Sequence, residues 1–304
     1  MKRVHRLTIE HQRIRGVAQL NGRLYVACLR SSAILVYSAE TFHLETDIVV
    51  KDLCNPNDIV ACQVNRCCYV GDHGRAVWRI NGDNTVEAWL EGAAMRAFTV
   101  DKYIGSAETW TLSTAGGRVL LTTGRRLLVY GSDGRRIADI RLEVGGVDGD
   151  SLPEPTLTRH AVISSPATVT ICESAGACGP GGVLGRLAEV AMTGDGRAIR
   201  ASAVAPTLFG PGYFVQDPVT RMFFVADTAG RRVLLFDARL DVVRVLLTTV
   251  DDVEKPLRLS YDRNSDRLVV AMDGEYIDIY SVREADPVTP SAKVEKWRSN
   301  RRDL

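Results

Sequence analysis

Arginine recurs in this sequence at one kind of position. Arg30, Arg75, Arg125 with Arg126, and Arg231 with Arg232 each follow a short apolar run within a few residues, Arg186 follows one after a longer glycine-rich stretch, and Arg159 with His160 opens another such run. The guanidinium is a planar fork of donors that matches carboxylate and phosphate. A set of this kind gathered on one surface would select acidic peptide motifs or nucleic-acid phosphates. A second set, Asn57, Asp58, Glu108 and Asp227, offers oxygens to a cation but is thin beside the six to eight that calcium takes. No His is clearly paired with a carboxylate as a general base. The expectation is therefore no catalytic residue, no bound metal and no cofactor. Gly176 to Gly182 is rich in glycine but lacks the Gly-Lys-Ser/Thr ending of a phosphate loop, and is expected to be a long surface loop.

Bulk properties narrow the field only a little. Lys and Arg total 38 against 37 Asp and Glu, so no global field draws the chain to nucleic acid or to an anionic membrane. No apolar run is long enough to span a bilayer, and the basic start Met1-Lys2-Arg3 has no apolar stretch behind it, so no secretory leader is expected. Seven cysteines, an odd number without paired metal-ligand spacing, point to mostly buried thiols in a reducing cytoplasm, with a Cys172 to Cys178 disulfide as the minor alternative.

The elements that would carry the arginines form a repeat. Leu24 to Cys28, Cys68 to Asp72, Val119 to Thr122, Val169 to Glu173, Phe223 to Asp227 and Leu268 to Asp273 are equivalent strands, and their centres Val26, Val70, Leu121, Ile171, Val225 and Val270 lie 44 to 54 residues apart. Each unit has β-branched and aromatic strands divided by turn formers. Units of this length with four strands are propeller blades. The fold expected is all-β, a six-bladed propeller of four-stranded antiparallel blades over residues 1–284, with a basic C-terminal tail over 285–304. The sixth unit ends after its third strand, while Val4 to Ile9 alternates like a strand. That segment is expected to close the ring as the outer strand of the last blade, which removes an exposed sheet edge.

With strands a to d running outward, antiparallel connectivity places the b to c and d to a connections on one face of the ring. The a to b and c to d turns lie on the other. The arginines then share the first face with Lys51 and Lys255, diluted by Asp58, Asp251, Asp252 and Glu254. The competing use is structural, in which the Arg opening strand c pairs with the Asp closing strand b, as Asp72 with Arg75 or Asp227 with Arg232. Tyr25, Tyr69, Trp78, Phe223 and Phe224 are expected to pack between blades, with Trp110 toward the channel. Asp72, Asp227 and Asp273 are expected to satisfy turn amides.

Pro56, Asp58, Ile59, Tyr69, Val70, Asp72 and Arg75 in the second unit, and Pro211, Gly212, Val225, Asp227, Arg232 and Val233 in the fifth, give the chain a pattern that resembles NHL-repeat propellers. His160 to Pro166 is similar to a blade start in invertebrate tripartite-motif relatives. That resemblance implies a binding domain, and in some relatives a basic face for single-stranded RNA. No RING-type Cys/His pattern accompanies it, so it implies at most the recognition part of a ubiquitin ligase.

The leading expectation is a non-catalytic, monomeric scaffold. It would bind a protein or peptide on the face of the b to c and d to a loops, through Arg30, Arg75, Arg125, Arg126, Arg159, His160, Arg186, Arg231 and Arg232. Single-stranded RNA on the same face is the second reading; it would want exposed aromatics, for which His73 and His160 are the candidates. A calcium-dependent lactonase-like hydrolase is the third.

Overall fold

The computed structural model describes residues 1–73, 75–91, 111–123, 126–142, 156–165, 168–175, 184–192, 197–204 and 208–282. Arg125, Glu108, Trp110, Cys178, the glycine-rich 176–182 and the tail 285–304 lie outside them. Six four-stranded antiparallel blades follow one another. Their a to d strands are Ile14–Leu20, Arg23–Cys28, Ala33–Ser38 and Leu44–Val49 in blade one, and Pro56–Cys62, Cys67–Asp72, Ala76–Asn81 and Val86–Glu91 in blade two. Blade three is built from Thr111–Ala115, Arg118–Thr123, Arg126–Tyr130 and Arg136–Leu142, and blade four from Thr156–Ser165, Thr168–Ala175, Leu184–Met192 and Arg197–Val204. Blade five contains Pro211–Gln216, Phe223–Asp227, Arg232–Phe236 and Val242–Leu247. The chain is a six-bladed propeller.

The sixth blade has only three strands of its own, Pro256–Asp262, Arg267–Met272 and Tyr276–Ser281. Its outer strand is Lys2–Thr8, antiparallel to the third. The expected closure is therefore present, two residues ahead of the boundary read from the sequence. Arg6 fastens it from outside, with Nε and Nη2 donating to the two carboxylate oxygens of Asp278 at 2.6 and 2.7 Å. Outer strands of blades three and four also touch in a short parallel pairing of Arg141 with Arg197 and Leu142 with Ala198.

The second strands are apolar without alternation because both of their faces are buried. Successive side chains point to opposite sides of a strand, so in blade one Tyr25 and Ala27 pack toward blade two, while Leu24, Val26 and Cys28 pack toward blade six. Blade two obeys the same phase. Cys68 and Val70 join the cluster shared with blade one, and Cys67 and Tyr69 the cluster shared with blade three. The adjacent cysteines thus serve two different interfaces. Cys28, Cys62, Cys67, Cys68 and Cys172 are buried free thiols and Cys54 is exposed. Trp89 fills the gap between Tyr69 and Tyr130, with ring centroids 4.7 and 5.8 Å away.

Inner strands meet most tightly where blade one abuts blade two. A Cβ built on Gly16 would stand 2.6 Å from the Ile59 nitrogen and 2.8 Å from its Cγ2, so only glycine lets these two strands approach so closely.

Candidate functional site: a plugged channel with a cationic end

Equivalent residues of the six inner strands form layers around the axis. One layer, opposite Ala27, Gly71, Thr122, Cys172, Ala226 and Ala271, consists of Gly16, Asp58, Thr111, His160, Tyr213 and Arg258. Asp58, His160 and Tyr213 are buried, and Arg258 is 9% exposed. Together these side chains close the channel.

Asp58 is the hub. Its Oδ1 accepts from Arg258 Nε at 3.1 Å and from the Ile59 amide at 3.0 Å, and its Oδ2 accepts from the Leu112 amide at 2.8 Å. All three neighbours are donors, the arrangement that suits a carboxylate. Burial pushes this carboxyl above its ordinary value, and Arg258 with the two amides pulls the other way. Arg258 also donates to the Asn57 and Leu257 carbonyls, each at 3.2 Å, and its guanidinium lies 5.0 Å from the centre of the Tyr213 ring. Tyr213 in turn stacks on His160 at 3.9 Å, with its hydroxyl on the Leu112 carbonyl at 3.3 Å. His160 Nδ1 lies 3.0 Å from Thr111 Oγ1, which donates to the Arg159 carbonyl at 2.8 Å. Burial, assisted by Arg258, holds the imidazole well below its ordinary value and therefore neutral. Five blades thus meet across the axis through side chains, while blade one contributes the glycine that lets its neighbour approach.

Just before this layer, the register slips by one residue in five inner strands, between Ile14 and Gly16, Pro56 and Asp58, Thr158 and His160, Pro211 and Tyr213, and Pro256 and Arg258. The extra residues are Arg15, Asn57, Arg159, Gly212 and Leu257. A bulge re-aims the side chain it carries, and these five ring the channel where the d to a connections arrive. Arg159 Nε donates to Ser174 Oγ at 2.7 Å. Arg15 is half-buried and makes no ion pair or side-chain hydrogen bond among the described residues. Burial, then the neighbouring Arg13 and Arg258, pull it below its ordinary value, with Asp273 opposing. Asp273 itself is held by Arg13, whose Nε donates to it at 2.7 Å.

The described members of the arginine set read from the sequence lie around this end, and much of the set is neutralised. Arg186 and Glu173 form a buried pair at 3.0 Å, Arg232 and Asp227 a pair at 2.7 Å, and Arg231 reaches Glu254 at 3.6 Å. Arg126 pairs with Asp139. The Asp227 to Arg232 pairing follows the expected grammar, but the Asp72 to Arg75 pairing does not form. Asp72 accepts the Asn55 and Cys54 amides at 2.8 and 3.3 Å, and Arg75 turns to Cys54 Sγ at 3.2 Å. Asp72 therefore satisfies turn amides as expected, whereas Asp273 bridges to Arg13 instead. His160 is not an exposed ring for base stacking; it is enclosed by Tyr213 and Phe214. Of the calcium set, Asp58 and Asp227 are each taken by an arginine. Among the described residues no three His, Cys, Asp or Glu side chains come together as a metal site, and no helix is long and apolar enough to cross a membrane.

What remains uncompensated is a subset. Arg15, Arg30, Arg75, Lys51 and Lys255 make no ion pair among the described residues of this face. Arg30 stands in a turn with φ of 60°.

Among solved structures, the propeller is similar to hydrazine synthase of Kuenenia stuttgartiensis, with a TM-score of 0.57 and 13% identity over 90% of this chain and 84% of that one. At that identity the likeness is one of fold. No protein-family model and no curated protein matches the chain.

Sequence reasoning missed Arg15 and Arg258. Arg258 precedes Leu259 as Asp58 precedes Ile59, so aligning the six units by their inner strands sets the two opposite charges in one layer. Arg15 carries no such mark, because a bulge is not visible in residue types.

Proposed function

We propose that this chain is an NHL-type propeller that works as a non-catalytic interaction scaffold, binding a protein or peptide partner through carboxylates at the cationic end of its channel. The observation that carries this reading is Arg15. It is half-buried on a bulge, without a carboxylate partner, and beside a second guanidinium that is already engaged. A desolvated cation is stabilised by an anion that arrives with its own hydrogen-bond acceptors. The unpaired Arg30, Arg75, Lys51 and Lys255 around it supply long-range attraction, which raises association rate more than affinity. An acidic peptide fits better than single-stranded RNA because, of the two rings that could stack on a base, His160 is enclosed in the plug and only the half-buried His73 is left.

The test is fluorescence anisotropy with the whole chain and labelled peptides rich in Asp and Glu, alongside charge-neutral Asn and Gln versions and a single-stranded RNA oligomer. Acidic peptides are expected to bind in a salt-sensitive manner. Arg15→Gln is expected to weaken them about tenfold, the loss of one charge-assisted hydrogen bond. Equal binding of acidic and neutral peptides, or tighter binding of the RNA, would overturn the reading.

A further inference from the structure

The two ends of the channel differ. On the a to b side of the plug lies a cavity of about 550 Å³ to which all six inner strands contribute. That volume is typical of a site for a small organic molecule. Valines and alanines make up much of the wall, and side chains tie it together from blade to blade. Gln19 donates its amide to Ser260 Oγ and its Nε2 to the Ser260 carbonyl, both at 3.2 Å, and Gln63 Nε2 donates to the Gln19 carbonyl at 3.2 Å. Thr114 Oγ1 donates to the Ala61 carbonyl at 2.7 Å, and Ser113 Oγ to the Ala161 carbonyl at 2.6 Å. Most of the polar wall is thus engaged in the ring itself.

Gln216 is different. It occupies in blade five the place of Gln19 in blade one, two residues beyond Phe214 as Gln19 is beyond Val17. Its Nε2 is shut off from solvent and has no acceptor. Of the described side chains with a stranded polar atom, it is the one that lines the cavity. A buried donor without a partner is costly, and a modest rotation of the side chain toward the cavity would give it to an acceptor there.

Charge decides what kind of acceptor. The wall residues of the ordinarily charged or near-neutral titrating types are His160, Asp262 and Arg263. Arg263 is spent on both oxygens of Asp217, at 2.7 and 2.6 Å. Asp262 receives the Asn264 and Ser265 amides and the Ser265 hydroxyl. His160 sits at the floor as part of the plug. An anion would lose its hydration here with no free cation to meet it, because Asp217 already balances Arg263; a cation would meet Asp262 only at the a to b turn, where backbone and hydroxyl donors already hold that carboxylate.

We infer that the cavity binds a small uncharged molecule with an apolar body and one carbonyl-type oxygen, which the Gln216 amide receives. This site lies across the plug from the cationic end and does not depend on a partner binding there.

The probes are acetanilide, benzoate and benzylamine, of similar size and different charge, titrated into the whole chain and followed by protein- and ligand-detected NMR. Acetanilide is expected to bind at least about tenfold more tightly than either ion, with nuclear Overhauser contacts to the methyls of Val60 and Val215. Gln216→Leu, checked for native melting, is expected to weaken it about fivefold, as for one neutral hydrogen bond. Should that variant fail to fold, the contacts in the unmodified protein decide. Equal or tighter binding of an ion, unchanged affinity in folded Gln216→Leu, contacts confined to another surface, or no binding of acetanilide would each overturn the assignment.

Discussion

Replacing Asp58 with alanine is expected to destabilise the propeller by about 3–5 kcal/mol, the usual cost of removing one partner from a buried ion pair. The carboxylate is fully buried and takes three donors from three blades: Arg258 in the sixth, the Ile59 amide in the second and the Leu112 amide in the third. Alanine removes all three acceptor contacts and leaves the Arg258 guanidinium enclosed with only backbone carbonyls and the Tyr213 ring around it. Urea unfolding followed by circular dichroism measures the loss. The double variant Asp58→Ala, Arg258→Met is expected to be more stable than Asp58→Ala alone, because it also removes the stranded cation. Equal stability of Asp58→Ala and the parent would mean that the plug contributes nothing to holding the ring closed.

The second large effect is expected from removing residues 1–9. Lys2–Thr8 is the outer strand of the last blade, held to it by pairing with Tyr276–Ser281 and by side chains. Its removal takes Leu7 and Ile9 out of the cluster between blades six and one, and strips Arg6 from Asp278, whose side chain is buried. Arg3, 3.6 Å from the same carboxylate, leaves with it. The lost burial of Leu7 and Ile9 is itself worth about 3–6 kcal/mol, at about 1.5–3 kcal/mol for each side chain. The bared edge of Tyr276–Ser281 then presents unpaired amides and carbonyls to other chains. The shortened protein is expected to elute from size-exclusion chromatography as oligomers or aggregate, and a synthetic peptide of residues 1–9 added during refolding is expected to restore the monomer-sized species. A shortened chain with the elution volume and melting temperature of the parent would show that the strand is dispensable.

Much of this fold was legible in the sequence, because period-two packing and repeat length are written in residue types. The apolar second strands, the opposite facing of Cys67 and Cys68, and the closure by the N-terminal segment all follow from alternation and from counting strands. The channel was harder for a physical reason. The Asp58 to Arg258 contact spans 200 residues and occurs once in the ring, so no repeat displays it. The layer it belongs to holds a different side chain in every blade. Repetition reveals what the blades share, whereas the axis is built from what they do not. Arg75 shows the converse error: the repeat pattern predicted a partner in Asp72, but the amides of Cys54 and Asn55 compete for the same carboxylate and hold it. His160 looked available next to Arg159, but the bulge between Thr158 and its own position buries the imidazole.

Hydrogen–deuterium exchange on the whole chain, with and without a saturating Asp/Glu-rich peptide, tests most directly whether the cationic end of the channel is where a partner docks. Slower exchange is expected at residues 12–16 and 158–161, where the bulges of blades one and four carry Arg15 and Arg159, with the a to b turns at 217–222 and 263–266 unchanged. Protection confined to those a to b turns, or protection absent from residues 12–16, would contradict it.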